Sequence, residues 1–464
     1  MIGWWTALPF VVMLVAMAVL PLLGATSRWW EKTGSQLLVS LVLGLPTAVW
    51  MIVAGHAESV ADMLIEYAQF VILLFGLFVV AGGLALTGDL AGTPRVNTTI
   101  LAAGAVLASV IGTTGAAMLL IRPLLIANQY RRHRVHIVIF AIFILANCGG
   151  LLTPLGDPPL FLGFLNGVPF TWTLTLYPQW IFVNALLLVT FACIDSALLA
   201  GEDHRPSQTG SWGIVGKLQF LWFAVIIVAV AVVPSVHLET LLHPHGWTGF
   251  VPWRELVILA AAGLSWLTAP VRARHDINHF SFTPIKEIAA LFIGIFLTME
   301  PALLLLEHYA ANLQLSPVGF HLSTGVFSAI LDNAPTYATF FEVASTSAAT
   351  GGGLIAGVPV ATLTAISTGA VFWGAMTYIG NGPNLMVRAV ATQRGVSMPF
   401  FAGYIAVSAR WLLPVLLASM LVFTDDPWWA KTAGVVVGAL VLVRALLVFR
   451  RVRWLSLKQL HETT

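Results

Sequence analysis

Charge is what this chain has least of. Only 9% of its 464 residues are Asp, Glu, Lys or Arg, against about 25% in an ordinary soluble domain. Hydrophobic residues make up 58%, and the mean hydropathy is +0.90. Cysteine is nearly missing too: Cys148 and Cys193 are the two present, without metal-ligand spacing. That excludes a disulfide framework and a zinc site, and leaves them as small buried apolar residues. A net charge of +2 is too small to suggest a nucleic-acid partner. The sequence has no phosphate-binding glycine loop, nucleophile elbow or metal-ligand set, which argues against an enzyme, against bound cofactors and against ATP as the driving force. Long polar segments are missing as well, so no soluble domain is expected. The start, Met1-Ile-Gly-Trp-Trp5, lacks a basic region; residues 4–23 therefore read as a retained membrane helix, not a removed signal.

What is present is a succession of apolar runs near 20 residues, the length that crosses a ~30 Å hydrocarbon core. The chain reads as an all-α polytopic membrane protein with about 11 transmembrane helices plus two re-entrant hairpins. Helices are expected near 4–23, 36–54 and 67–86, with an acidic loop (Glu58, Asp62, Glu66) before the third. The stretch 97–126 is interrupted at Gly112-Thr-Thr-Gly115 and lies between Arg95 and the basic cluster Arg131, Arg132 and Arg134. Both ends thus belong on one side, and at 1.5 Å per residue it is too short for two crossings, so it is expected to be a re-entrant hairpin. Span 135–170 is broken by Asn147-Cys-Gly-Gly-Leu-Leu-Thr-Pro-Leu-Gly-Asp-Pro-Pro159, which no continuous helix accommodates. Helix 176–200 follows.

The plan then repeats: helices near 217–233, 254–269 and 285–305, a hairpin at 317–344, a span 353–391 broken by Gly380-Asn-Gly-Pro-Asn384, and a helix at 399–422. Residues 1–205 and 206–424 form two repeats, and 425–464 add a helix near 431–449 and a basic tail. Loop charges put the N-terminus outside and the C-terminus in the cytoplasm of an inner (plasma) membrane. With an odd number of crossings per repeat, the second copy is inverted, a mark of secondary transporters.

The chemistry is expected at the two breaks. A carboxylate at membrane depth costs about 2.5–3.5 kcal/mol on insertion scales, so it reads first as functional. The candidate ion-binding residues are Thr113, Thr114, Asn147, Thr153 and Asp157 in the first half. In the second half they are Asp332, Asn333, Thr336, Thr377, Asn381 and Asn384. All offer oxygen of the kind Na+ takes, with Asp157, Asp332 and Asn333 as its expected ligands. A carboxylate in such a place trades a proton for a cation, the simplest antiport. The rival reading of Asp157 is an N-cap before Pro158-Pro159. Glu300 and Arg410 read either as a buried pair, or as a proton relay and an anion clamp. Arg122 is expected to snorkel.

These motifs carry a resemblance. Ser328-Ala-Ile-Leu-Asp-Asn-Ala-Pro-Thr336, Asn147 through Asp157 and Gly380-Asn-Gly-Pro-Asn384 resemble the ion-transporter superfamily of NhaD-type sodium/proton antiporters, ArsB-type arsenite permeases and citrate or dicarboxylate carriers. The likeness covers nearly the whole chain and is closest to the antiporter branch or the putative citrate transporter branch. It implies a cation site at each hairpin-plus-break pair, substrate between them, and a homodimer. Dicarboxylate carriers hold substrate with Ser-Asn-Thr at both tips; here the tips read Gly112-Thr113-Thr114 and Asp332-Asn333-Ala334-Pro335-Thr336, which weakens the citrate reading. Tip one also lacks an acid, so one cation site is lost or weaker. The expectation is a sodium/proton antiporter working by alternating access, with Na+ and H+ as cargo. The alternatives are a sodium-coupled citrate or dicarboxylate symporter and a metalloid permease.

Overall fold

A computed structural model describes the chain apart from residues 1–2, 22, 31, 88–90, 201–212, 237, 239–250, 279, 311–314, 348–352, 425–426 and 463–464; side chains at 18, 86, 306–310, 347 and 451–464 are also outside the description. The loop residues Arg205, His243, His245, Glu307, Asp425 and Asp426, and Arg451 and Arg453 of the basic tail, lie outside these described side chains.

The protein is helical, as its composition requires. In chain order the helices are α1 (Leu8–Val19), α2 (Thr33–Val53), α3 (Ala57–Gly82), α4 (Pro94–Ile111), α5 (Thr113–Ala127), α6 (Val135–Ile144), α7 (Pro158–Leu165), α8 (Tyr177–Leu199) and α9 (Gln219–Val232). They continue as α10 (Trp253–Thr268), α11 (Thr283–Ala310), α12 (Pro317–Ile330), α13 (Asn333–Ser347), α14 (Val360–Trp373), α15 (Gly382–Gln393), α16 (Phe401–Trp411), α17 (Leu413–Phe423) and α18 (Trp428–Glu462). Among the described residues seven helices are long and apolar enough to cross a membrane, and an eighth span is α16 plus α17, bent by 44°. Exposed Leu, Val and Ile along α2 and α18 give these helices the apolar outer faces that lipid requires.

Two expectations are corrected. The acidic residues Glu58, Asp62 and Glu66 are not in a loop: α3 begins at Ala57 and carries them in its first turns. Arg131 is not a solvated loop charge. It is 4% exposed and pairs with the buried Asp195 at 2.6 Å. Asp195 also meets His136 at 2.8 Å and accepts from Asn97 at 2.9 Å. This knot ties the open end of α4 and α5 to α6 and α8, where one charge stripped of its partners would be strongly destabilising.

Two helical pairs matter for the site. α4 and α5 fold against each other with Gly112 between them, at φ 82°, a conformation glycine adopts without strain. Helices α12 and α13 form the second pair, around Leu331 and Asp332. Both pairs start the same way, with a hydroxyl cap followed by proline: Thr93 accepts from the Val96 N–H and Ser316 from the Gly319 N–H. Short helical turns, among them Cys148–Leu152 and Gly374–Met376 within the two breaks, and two short antiparallel ribbons, Ala85–Thr87 with Gly213–Val215 and Leu354–Ile355 with Val358–Pro359, add to these helices.

Candidate functional site

Each interrupted span stops for the same reason. Between α6 and α7, Gly150 and Gly156 press backbone on backbone: a Cβ on Gly156 would sit 2.1 Å from the Gly150 carbonyl oxygen. Between α14 and α15, Gly374 and Gly380 do likewise, with 2.6 Å from a Gly380 Cβ to the Gly374 oxygen. A threonine then pins each break to its own hairpin. Thr153 Oγ1 donates to the Ser109 carbonyl, and Thr377 Oγ1 donates to the Ala329 carbonyl at 2.5 Å. Asp157 and Asn381 follow at matching places, each the extended residue that starts the next helix, with proline in its first turn.

The second half of each span leaves its own hairpin for the other. α7 packs on α13, so closely that a Cβ on Gly163 would lie 2.3 Å from the Tyr337 hydroxyl. α15 packs on α5. This crossing brings residues more than 150 positions apart to one point. Asp157, 2% exposed, is that point. Its Oδ1 accepts from Thr113 Oγ1 at 2.8 Å and from Asn381 Nδ2 at 3.0 Å; its Oδ2 accepts from Asn333 Nδ2 at 2.5 Å. The N-cap reading is half right. Asp157 occupies the N-cap place, but its side chain caps nothing.

Asn147 extends the network. It donates to Asn384 Oδ1 at 2.8 Å and accepts from Asn381 at 3.2 Å. Asn384 in turn donates to the carbonyls of Gly374 and Thr377, both at 2.9 Å. Here the amides satisfy backbone groups that the broken helix leaves open, which low dielectric makes costly to leave unpaired.

Asp332 is different. It is half-buried, and its Oδ1 accepts the Ala334 N–H at 3.1 Å. Together with Thr114, Gly382 and Pro383 it lines two adjoining cavities, of about 120 and 840 Å³. The smaller also touches Thr113, Asp157 and Asn381 and has no basic residue in its lining. The larger runs from Asp332 to Gln36, Glu287, Arg388 and Gln393. Asn333 Oδ1 is buried beside Asp157 and accepts no hydrogen bond from a described residue. Among the described residues no three His, Cys, Asp or Glu side chains group as a metal site. Any cation here would meet carboxylate, amide and hydroxyl oxygen, a hard donor set.

Of the expected residues, then, Thr113, Asn147, Asp157, Asn333, Asn381 and Asn384 converge, and Thr114 and Asp332 face the cavity. Thr153, Thr336 and Thr377 spend their hydroxyls on backbone carbonyls of the chain breaks, Thr336 on that of Asp332 at 2.8 Å. Glu300 lies half-buried on α11 and lines neither cavity. Arg410 is exposed on α16, beside the Trp411 ring, so it clamps nothing in these cavities and does not pair with Glu300. Arg122 reaches the Ile277 carbonyl at 3.4 Å. Sequence reasoning missed Ser109, which receives Thr153, and Asp195; the one signal for the latter was an acid late in an otherwise apolar helix.

A polytopic helical bundle, two helical hairpins and two interrupted spans sharing one buried polar centre define a membrane transport protein. The family described as putative citrate transport matches residues 1–424, and the chain belongs to that family. A search of curated proteins finds no match.

Proposed function

We propose that this protein is a secondary active transporter that exchanges Na+ for H+ by alternating access. The observation that supports it best is the pairing of Asp157 with Asp332 around a cavity without basic residues. Asp332 has one donor and faces the cavity, so it is the ion's first stop. The oxygens of Asp157 hold three donors drawn from α5, α13 and the second break. A proton or Na+ reaching it must displace one of them, and Asn333 Oδ1 stands ready as an added ligand. Loading would thus loosen the bond that joins the two hairpins, which couples charge to movement. Two inverted repeats, 1–205 and 206–424, give the opposed hairpins their re-entrant insertion from opposite faces. Loop charge supports placing Arg388 and Glu287, and so the end of the larger cavity, on the cytoplasmic side of a plasma membrane, with the N-terminus outside; the resemblance implies a homodimer.

A second reading, a sodium-coupled citrate or dicarboxylate symporter, is favoured by the family and by a cavity of about 840 Å³, far more than a bare ion fills. Reconstituted vesicles with an imposed pH gradient separate the two. Collapse on adding Na+ that disappears in Asp332→Asn supports exchange. Sodium-dependent uptake of labelled citrate, with no response to Na+ alone, rejects it.

A further inference from the structure

We propose that Arg410 and Arg444 form a binding site for the phosphate of an anionic phospholipid on the outer face of the bundle. Arg410 lies in the last turn of α16, just before the 44° bend, and is exposed. Arg444 lies on α18, whose neighbouring residues Leu440, Val443 and Leu447 are 50–60% exposed, as a lipid-facing surface is. Both guanidinium groups lie against one indole ring: the Trp411 ring is 5.4 Å from the Arg410 Cζ and 4.3 Å from that of Arg444. Arg444 Nη1 also donates to the Arg410 backbone carbonyl at 2.9 Å, which holds the Arg444 guanidinium against α16 beside Arg410. Among the described residues no carboxylate pairs with either.

Two like charges held together need an anion. Measured from Phe401, Arg410 is about 14 Å along the helix, and Arg444 is about 9 Å before Arg450. Both belong to apolar helices, where an unneutralised cation is expensive. Arginine forks grip phosphate oxygens in pairs, and Trp411 holds them open by cation–π contact. A lipid suits the position because its phosphate arrives attached to acyl chains that cover the exposed Leu and Val beside it. A basic cleft between membrane helices is the usual form of such a site.

The full-length protein, purified in mild detergent and exposed to phosphatidylcholine with phosphatidylglycerol, is examined by native mass spectrometry. The wild type should retain phosphatidylglycerol in preference, and Arg410→Gln with Arg444→Gln should lower that retention about tenfold, leaving phosphatidylcholine unchanged. Arg410→Gln alone leaves the Arg444 bond to the backbone intact and should give part of the loss, which guards against a misfolded double variant. Equal retention of both lipids by the wild type, or unchanged retention by the double variant, overturns the site. Displacement of the lipid by inorganic phosphate would make it a free-phosphate site instead, and a variant that only shifts dimer to monomer would show that a second copy covers it; either result rejects the lipid assignment.

Discussion

The two interrupted spans use one backbone solution and two different chemistries. Gly150 with Gly156 and Gly374 with Gly380 make the same contact, and Thr153 and Thr377 make the same tie to a hairpin carbonyl. Yet Asp157 stands where the other break has Asn381, and Asp332 stands where the other hairpin has Gly112. Each hairpin-and-break pair therefore carries one carboxylate, at the break in the first and at the tip in the second. The lesson is that geometry is shared because close backbone contact and proline leave few alternatives, whereas charge is divided because two acids at matching places would confront each other across a low-dielectric centre.

This comparison breaks most sharply at the glycines. Gly156→Ala is expected to cost on the order of 3 kcal/mol, since the contact it spoils is backbone that cannot turn aside. Gly380→Ala, with more room, should cost less. Thermal unfolding of detergent-solubilised protein reads both, and equal melting temperatures for variant and parent would mean that the breaks are not held by these contacts.

The carboxylates come next and should separate by readout. Asp157→Asn replaces one of the two oxygens that accept from three donors and should lower stability by roughly 1–3 kcal/mol as well as transport. Asp332→Asn removes the charge but keeps an oxygen for the Ala334 N–H, so it should keep its melting temperature while losing Na+-driven proton movement. If both variants melt alike, the division of labour between latch and cavity acid is wrong.

Moving the charge sharpens the comparison further. Asp157→Asn combined with Asn381→Asp keeps a donor–acceptor pair between the two breaks, so part of the stability lost in Asp157→Asn should return. Transport should not return, because turning the new amide's nitrogen toward position 381 takes from Thr113 the oxygen it donates to. Recovery of vesicle exchange in that double variant would mean that the breaks are chemically interchangeable.

The smallest effect tests the shared part. Thr153→Val and Thr377→Val each remove one hydroxyl tie to a carbonyl and should cost about 1 kcal/mol, by equal amounts. Clearly unequal melting shifts would show that the two hairpins are anchored differently.

Much of this arrangement can be read in the sequence. The boundaries of the apolar helices were legible because length and hydropathy bound a span, and the breaks because proline and glycine stop a helix wherever they fall. Errors came where local cues were neutral. Ala57–Glu66 looked like a loop from its acids but opens a helix, since Ala, Glu and Met are good helix formers and Glu58 is exposed in the first turn of α3. Arg131 looked solvated because nothing nearby in sequence announces Asp195, 64 residues on. Arg410 looked buried because hydropathy does not tell which side of a helix faces the bundle.

By itself the sequence determined that this chain is a membrane-spanning helical protein, that two of its spans are interrupted, and that oxygen donors gather at the interruptions. Those properties follow from local composition and backbone chemistry. Only the tertiary structure decided that α7 and α15 each cross to the opposite hairpin, that Asp157 binds three partners instead of capping a helix, and that Asp332 keeps the open cavity. Such pairings join positions as far apart as 224 residues, and they arise from how whole helices pack, which no local pattern encodes.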